Sequence, residues 1–263
     1  MNLNSLNYEF LRHIGVTTET QKRVQAFYLG FFQGCQEVLD LACGDGDFVE
    51  LLAENGIKAL GIDRDPCCCE MAHQQGKRVV CADVFKYLEQ AEEESVDGIF
   101  CAHLVEHLPY ERVLHLLELS YRVLKKRGRI VLTTPNVRGL FSHLEMFYLH
   151  FGHVTFYHPN LLCFFLKQVG FSAPTMGENP LLDSPLWGSR LKQGPIDGTP
   201  QFPHNQGSLL RRVLHSCRLL LGSLLVRPYL EQIIAQVNDK LLPATDALQQ
   251  IDRSFECWVM ATK

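Results

Sequence analysis

Val38-Leu39-Asp40-Leu41-Ala42-Cys43-Gly44-Asp45-Gly46 is the stretch whose reading decides the fold. Residues 37–41, Glu-Val-Leu-Asp-Leu, read as a buried strand. A glycine turn follows, and then Phe48, Leu51 and Leu52 recur at helical spacing until Asn55-Gly56 stops them. A strand that enters a glycine turn and leaves as a helix presents free backbone N–H groups at a positive dipole end. Gly44 and Gly46 allow a ligand to approach that backbone closely.

The same alternation continues outward. Residues 58–63 read as a second strand, and Asp65-Pro66 as a helix start, with Asp as cap and Pro in the first turn. Residues 78–82 and 96–101 give a third and a fourth strand. A helix is expected over 110–124, closing at Gly128, before a fifth strand at 129–133 that Pro135 ends. Residues 161–169 read as a helix, followed by Gly170-Phe171 and a sixth strand. Upstream, Val24, Phe27, Tyr28 and Phe31 mark a helix over 17–32. Strands alternating with helices predict an α/β fold whose mostly parallel sheet is covered on both faces.

The pattern breaks at residues 178–207, which are rich in Pro, Gly, Ser and Asn. Residues 208–242 are helical again, interrupted at Arg227-Pro228, and residues 255–261 read as a last strand returning to the sheet. The expected organisation is one domain over 1–263. It has an N-terminal helical segment (1–34), a ligand-binding core (35–177), a helical insertion or cap (178–254) and a closing strand (255–263).

Bulk properties narrow the class. Of 263 residues, 46% are hydrophobic and 21% charged, which suits a packed core and argues against disorder. The net charge of −4 does not suggest a nucleic-acid partner. No signal peptide and no uncharged apolar run of spanning length is evident, so a cytoplasmic location is expected. The 10 cysteines then read as free thiols; Cys67-Cys68-Cys69 lacks the spacing of a zinc knuckle and reads as small helix residues.

The turn itself discriminates between ligands. A dinucleotide fingerprint needs a third small residue where this chain has Val49. Asp40, Asp45 and Asp47 would repel a pyrophosphate but suit a cationic cofactor. Asp63, at the end of the second strand and 17 residues after Gly46, is placed to accept hydrogen bonds from ribose hydroxyls.

Residues 38–46 resemble the first motif of the class I S-adenosylmethionine-dependent methyltransferases. Gly61-Ile62-Asp63 resembles their acidic second-strand motif, Cys81-Ala82-Asp83-Val84 the third, and residues 97–103 the fourth strand. Residues 122–129 resemble the usual approach to the fifth strand, with Lys126-Arg127-Gly128 where Pro-Gly-Gly is common. The resemblance covers about residues 20–177 and the last strand, in the family's order. It implies a Rossmann-like seven-stranded sheet, last strand antiparallel, with the insertion between strands six and seven. It also implies an S-adenosyl-L-methionine site. Asp40, Ala42, Gly44 and Gly46 would line the methionine part, Asp63 and Arg64 the ribose, and Asp83 and Val84 the adenine. Ala102 and His103 would close over the sulfur.

Transfer from a sulfonium is an in-line displacement that depends on holding the acceptor against the methyl. An oxygen acceptor must also lose a proton, to a base or with a metal's help. His103, Glu106 and His107 stand three and four residues apart after the fourth strand, and His153 and His158 come later. His103, Glu106, His107 and His153 are the candidates for catalysis or bracing, and Glu106, His107 and His153 for a divalent metal. His150 is among the scattered histidines given no role. The segment resembles that of metal-dependent oxygen methyltransferases of the ubiquinone pathway and of RNA 2′-O-methyltransferases, with His103 in place of a first Glu. It also resembles sugar and surface-polysaccharide methyltransferases. The expected acceptor is a small molecule, a sugar or a lipid-linked glycan. A quinone precursor or an RNA 2′-hydroxyl is the alternative. An NAD-dependent oxidoreductase and a non-catalytic methyltransferase-like subunit are readings of other classes. Residues 209–226 carry Arg211, Arg212 and Arg218 among leucines, read as a helix packed on the domain or, alternatively, touching the inner face of a membrane.

Overall fold

The computed structural model describes residues 9–10, 13, 17–139, 147–182, 254 and 256–263. These lie in the unit formed by residues 1–184 and 253–263. Most of the insertion expected over 178–254, including the basic segment 209–226, lies outside the described residues.

Helix α1 (Thr18–Gln25) opens the fold, and its chain continues as a 3₁₀ segment (Ala26–Phe32). Then follow β1 (Glu37–Leu41), α2 (Asp47–Glu54), β2 (Lys58–Asp63), α3 (Pro66–Gln74), β3 (Val79–Cys81), α4 (Val84–Gln90) and β4 (Val96–Ala102). After a 3₁₀ turn at Val105–His107 come α5 (Tyr110–Val123), β5 (Leu124–Pro135), α6 (Pro159–Val169), β6 (Ser172–Glu178) and β7 (Glu256–Thr262). The sheet order is β3-β2-β1-β4-β5-β7-β6. Strands β1 to β5 pair in parallel, whereas β7 runs antiparallel to both β5 and β6. This is the seven-stranded, mostly parallel sheet expected, with the last strand antiparallel and lodged between the fifth and sixth.

Strand periodicity divides the core. Leu39, Leu41, Ile99, Cys101, Ile130 and Leu132 point to one face, where α4, α5 and α6 bring Leu88, Leu116, Leu117, Leu162 and Leu166. Val38, Phe100 and Val131 point to the other, where Tyr28, Phe32, Phe48 and Leu52 pack. Phe100 and Phe48 have ring centroids 4.1 Å apart. Gly98 lets this layer close: a Cβ there would sit 2.8 Å from the Phe32 ring.

Local chemistry explains the boundaries. Asp65 accepts the Cys67 N–H and Pro66 opens α3, as the sequence predicts. Cys68 and Cys69 are buried on that helix. Gly170, at φ 115°, ends α6 in the left-handed region. Two boundaries differ. The expected helix over 17–32 is α-helical only to Gln25. Strand β5 starts at Leu124 rather than 129: between its pairings Val96↔Leu124 and Gly98↔Arg129 it advances five residues against two on β4. That bulge absorbs the segment around Gly128.

The shared aromatic layer carries a measurable consequence. Phe100→Ala should cost about 3–5 kcal/mol of unfolding free energy, read from the denaturant midpoint. A loss below about 1 kcal/mol would show that the layer tolerates a void there.

Candidate functional site

The strand order reverses direction between β1 and β4, and in such sheets a crevice opens at the carboxyl ends of the strands. The residues of interest gather there from two sides.

On the β1 side the chain turns through the left-handed region at Ala42 (φ 59°), Gly44 (φ 58°) and Gly46 (φ 75°). Asp63 at the end of β2 holds this turn. Its Oδ2 accepts the Gly44 N–H at 2.8 Å, and its Oδ1 accepts the Asp65 N–H at 2.8 Å. Burial pushes the Asp63 carboxyl up, and the two N–H donors act against that. Gly61 lets β2 approach the turn, because a Cβ there would meet the Cys43 sulfur at 2.5 Å. Among the described residues nothing lies within 4 Å of where a Gly44 Cβ would be. Asp40 is buried, and burial with Asp63 and Asp47 nearby raises its carboxyl well above the ordinary range. A cation in the crevice would favour its ionised form.

The remaining candidates on this side are more mixed. Arg64 is exposed beside Asp63. Asp83 caps α4, its Oδ1 accepting the N–H groups of Phe85 and Lys86 at 3.0 and 3.1 Å. The Val84 side chain is buried in the main core. Asp83 and Val84 therefore have structural duties that the sequence reading did not assign them.

On the β4 side, Ala102 ends the strand and His103 follows in a left-handed conformation (φ 51°). Its N–H donates to the Thr133 carbonyl at 3.1 Å. Both ring nitrogens meet carboxylates: Nδ1 lies 3.0 Å from Glu106 Oε1, and Nε2 lies 2.6 Å from Glu256 Oε2. Glu106 and Glu256 are both buried. Glu106 Oε2 also accepts the Thr134 hydroxyl at 3.1 Å. Glu256 Oε1 accepts the Tyr28 hydroxyl and, at 3.0 Å, the Asn179 side-chain N–H.

Burial opposes a charge on His103, yet the two carboxylates outweigh it and hold the imidazole pKa up at about 10. Burial would also raise both glutamates, but His103 brings them below their ordinary value. At neutral pH the group is an imidazolium between two carboxylates. His103 therefore has no lone pair with which to accept a proton. Of the bracing and base roles expected for it, the geometry fits bracing.

Next to this triad stand three further imidazoles. His107 Nδ1 donates to the Gly152 carbonyl at 2.8 Å, and His153 Nδ1 donates to the Phe147 carbonyl at 2.8 Å. His150 Nδ1 accepts the Gly152 N–H at 3.0 Å. The three ring centroids are 4.8–5.0 Å apart. Burial first, and then the neighbouring imidazoles, push His150 down to about 4. Burial likewise lowers His153. His153 Nε2 lies 4.0 Å from Glu106 Oε1.

The structure thus brings His103, Glu106, His107 and His153 into one neighbourhood. His158 stands apart as the N-cap of α6. Four members of the neighbourhood were missed from sequence: Tyr28, Thr134, Asn179 and Glu256. His150 was missed as well, although it stands three residues before His153.

Removing one carboxylate should release the imidazole. In Glu256→Gln the His103 pKa, followed by NMR, should fall from about 10 toward its ordinary 6.5. The variant should lose about 1–3 kcal/mol of stability near pH 7. An unmoved titration would show that Glu106 alone holds the charge.

Residues 39–132 match the model of the methyltransferase domain family. No curated protein matches the chain. Among solved structures, an S-adenosylmethionine-dependent methyltransferase from Archaeoglobus fulgidus is similar at 26% identity and TM-score 0.68, over 98% of this chain and 100% of that one. Phosphoethanolamine N-methyltransferase 2 of Haemonchus contortus, solved with S-adenosyl-L-methionine, is similar in fold, with TM-score 0.54 and 16% identity over 97% of this chain and 59% of that one. The sheet order, the family model over residues 39–132 and the likeness to the Archaeoglobus enzyme agree with the motif order along the chain and support an S-adenosylmethionine-dependent methyltransferase.

Proposed function

We propose that the chain transfers the methyl group to an oxygen of a small-molecule, sugar or lipid-linked glycan acceptor. The observation that supports this is the His103 imidazolium, held by Glu106 and Glu256 at the mouth of β4. Its carboxylates are buried, while its own side chain is half-buried. A fixed positive charge favours an acceptor that gains negative character as its proton leaves. It disfavours an amine, which gains positive charge on attack. The likeness to the Haemonchus enzyme concerns the fold and carries no acceptor. This reading does not rest on a metal. A lipid-linked acceptor would bring the chain to a membrane surface, where the basic segment 209–226, outside the described residues, would be the contact. Among the described residues no helix is long and apolar enough to cross a membrane.

In the same reading the sulfonium cofactor lies over the open turn, with Asp40, Ala42, Gly44 and Gly46 beneath its methionine part. Asp63, with Arg64 beside it, faces the ribose. Asp83 and the backbone at Val84 face the adenine, and Ala102 and His103 lie near the sulfur. Asp63→Ala should weaken S-adenosylhomocysteine binding by about 1–3 kcal/mol in calorimetry, through lost charge-assisted hydrogen bonds. Unchanged affinity would remove Asp63 from the site.

The acceptor class is tested by methyl transfer from labelled S-adenosylmethionine to matched panels of hydroxyl and amine acceptors. The panels include sugars, glycan lipids, quinone precursors and RNA. Transfer to hydroxyls is expected, and Glu256→Gln should depress it. Transfer confined to amines would overturn the oxygen reading.

A further inference from the structure

We infer that His107, His150 and His153 form a binding site for one divalent ion of the zinc type. The three rings come from two segments, the 3₁₀ turn after β4 and the stretch before α6. One ligand atom of each lies within 4.8 Å of the others. Tetrahedral bonds of about 2.1 Å place neighbouring nitrogens roughly 3.4 Å apart. The rings must therefore close by about 1.4 Å at most, which imidazole rotation can supply.

Two features show that the rings are arranged rather than merely adjacent. His107 and His153 each give the Nδ1 proton to a main-chain carbonyl, which fixes the tautomer and leaves the Nε2 lone pair available. Metal-binding histidines are oriented in this way. The second feature is Gly152. Its carbonyl takes the His107 proton and its N–H meets His150. A Cβ on it would lie 2.8 Å from His107 Nδ1 and 3.2 Å from the His150 ring, so only glycine lets both rings approach.

Glu106 is not the third ligand. Its oxygens are engaged by His103 and Thr134. It still stands 4.0 Å from His153 Nε2 as a buried anion, which offsets the charge of a dication. His150 is the weakest of the three, because its Nδ1 accepts the Gly152 N–H, which puts the ring proton on Nε2; ligation through Nε2 moves that proton to Nδ1 and breaks the Gly152 hydrogen bond. A set of three imidazoles without a direct carboxylate selects zinc, cobalt, nickel or copper over magnesium or calcium. Three protein ligands leave a fourth position open.

The test is independent of the acceptor. Tag-free protein is stripped with EDTA, exchanged into buffer and titrated with zinc chloride in a calorimeter. Cobalt(II) absorption reports the coordination. S-adenosylhomocysteine binding shows separately that each variant is folded. One ion per chain is expected. His107→Ala and His153→Ala should each weaken it at least about tenfold, and His150→Ala less. His115→Ala, on the exposed side of α5, should leave it unchanged. His153→Asn keeps a donor for the Phe147 carbonyl but offers no ring nitrogen, and it should lose the ion while still binding S-adenosylhomocysteine. No stoichiometric ion in the wild type, or an ion that survives both His107→Ala and His153→Ala, would overturn the inference. Failure of the oxygen reading would appear only in the acceptor panels and leave this titration untouched.

Discussion

One imidazole held between two buried carboxylates ties the candidate site to the rest of the molecule. Glu106 comes from the turn after β4, and Glu256 is the first residue of β7. Their joint grip on His103 connects parts of the chain 153 residues apart. Glu256 extends the connection to Tyr28 on the N-terminal segment and Asn179 after β6. A buried charge without partners would be costly, so each member requires the others. Because the His103 pKa is raised, its contribution to stability is full below its ordinary 6.5 and is lost as the pH rises through about 10. The glutamates are lowered, so their contribution is present above their ordinary 4.5 and is lost as the pH falls through their folded values. Neutral pH lies inside the window where all three are charged.

The β1 side is organised on the opposite principle. Asp40, Asp47 and Asp63 crowd together, and burial raises all three carboxyls. Of these three, Lys77 pairs with Asp47, at 2.8 Å, and it also meets Glu50 at 3.1 Å. The turn is therefore short of positive charge, and a sulfonium with an ammonium would supply it. The same acidity that disfavours a pyrophosphate would favour a cationic ligand, and Asp63 fixes the turn's shape through the Gly44 N–H.

What was legible in the sequence follows from the range of each interaction. The sheet could be read because strand and helix periods are local, and the turn because glycines at φ 58° and 75° leave a local mark. Helix α4 escaped notice because Asp83 was read for a ligand rather than as the cap it is. The placing of β7 between β5 and β6 brings Glu256 to His103, and no local pattern reveals a partner that far along the chain. Tyr28 was read as one more apolar helical position. Its hydroxyl acquires a role only once Glu256 is beside it. Residues 103–107 did stand out, because spacings of three and four bring side chains together within one short segment.

Charge state separates the two histidine environments, and Glu106 is the boundary between them. His103 meets a carboxylate at each nitrogen and so keeps both protons. His107 and His153 give one proton each to a neutral carbonyl, which fixes the orientation of the rings. His153 stands 4.0 Å from the same Glu106 oxygen that His103 holds at 3.0 Å, so the carboxylate is already satisfied by the nearer imidazolium. Protonating His153 would place a second cation against the first. Burial first, and then the neighbouring imidazoles, keep His150 and His153 uncharged a few ångströms from that imidazolium. The arrangement sets one permanently charged imidazole beside neighbours that stay uncharged.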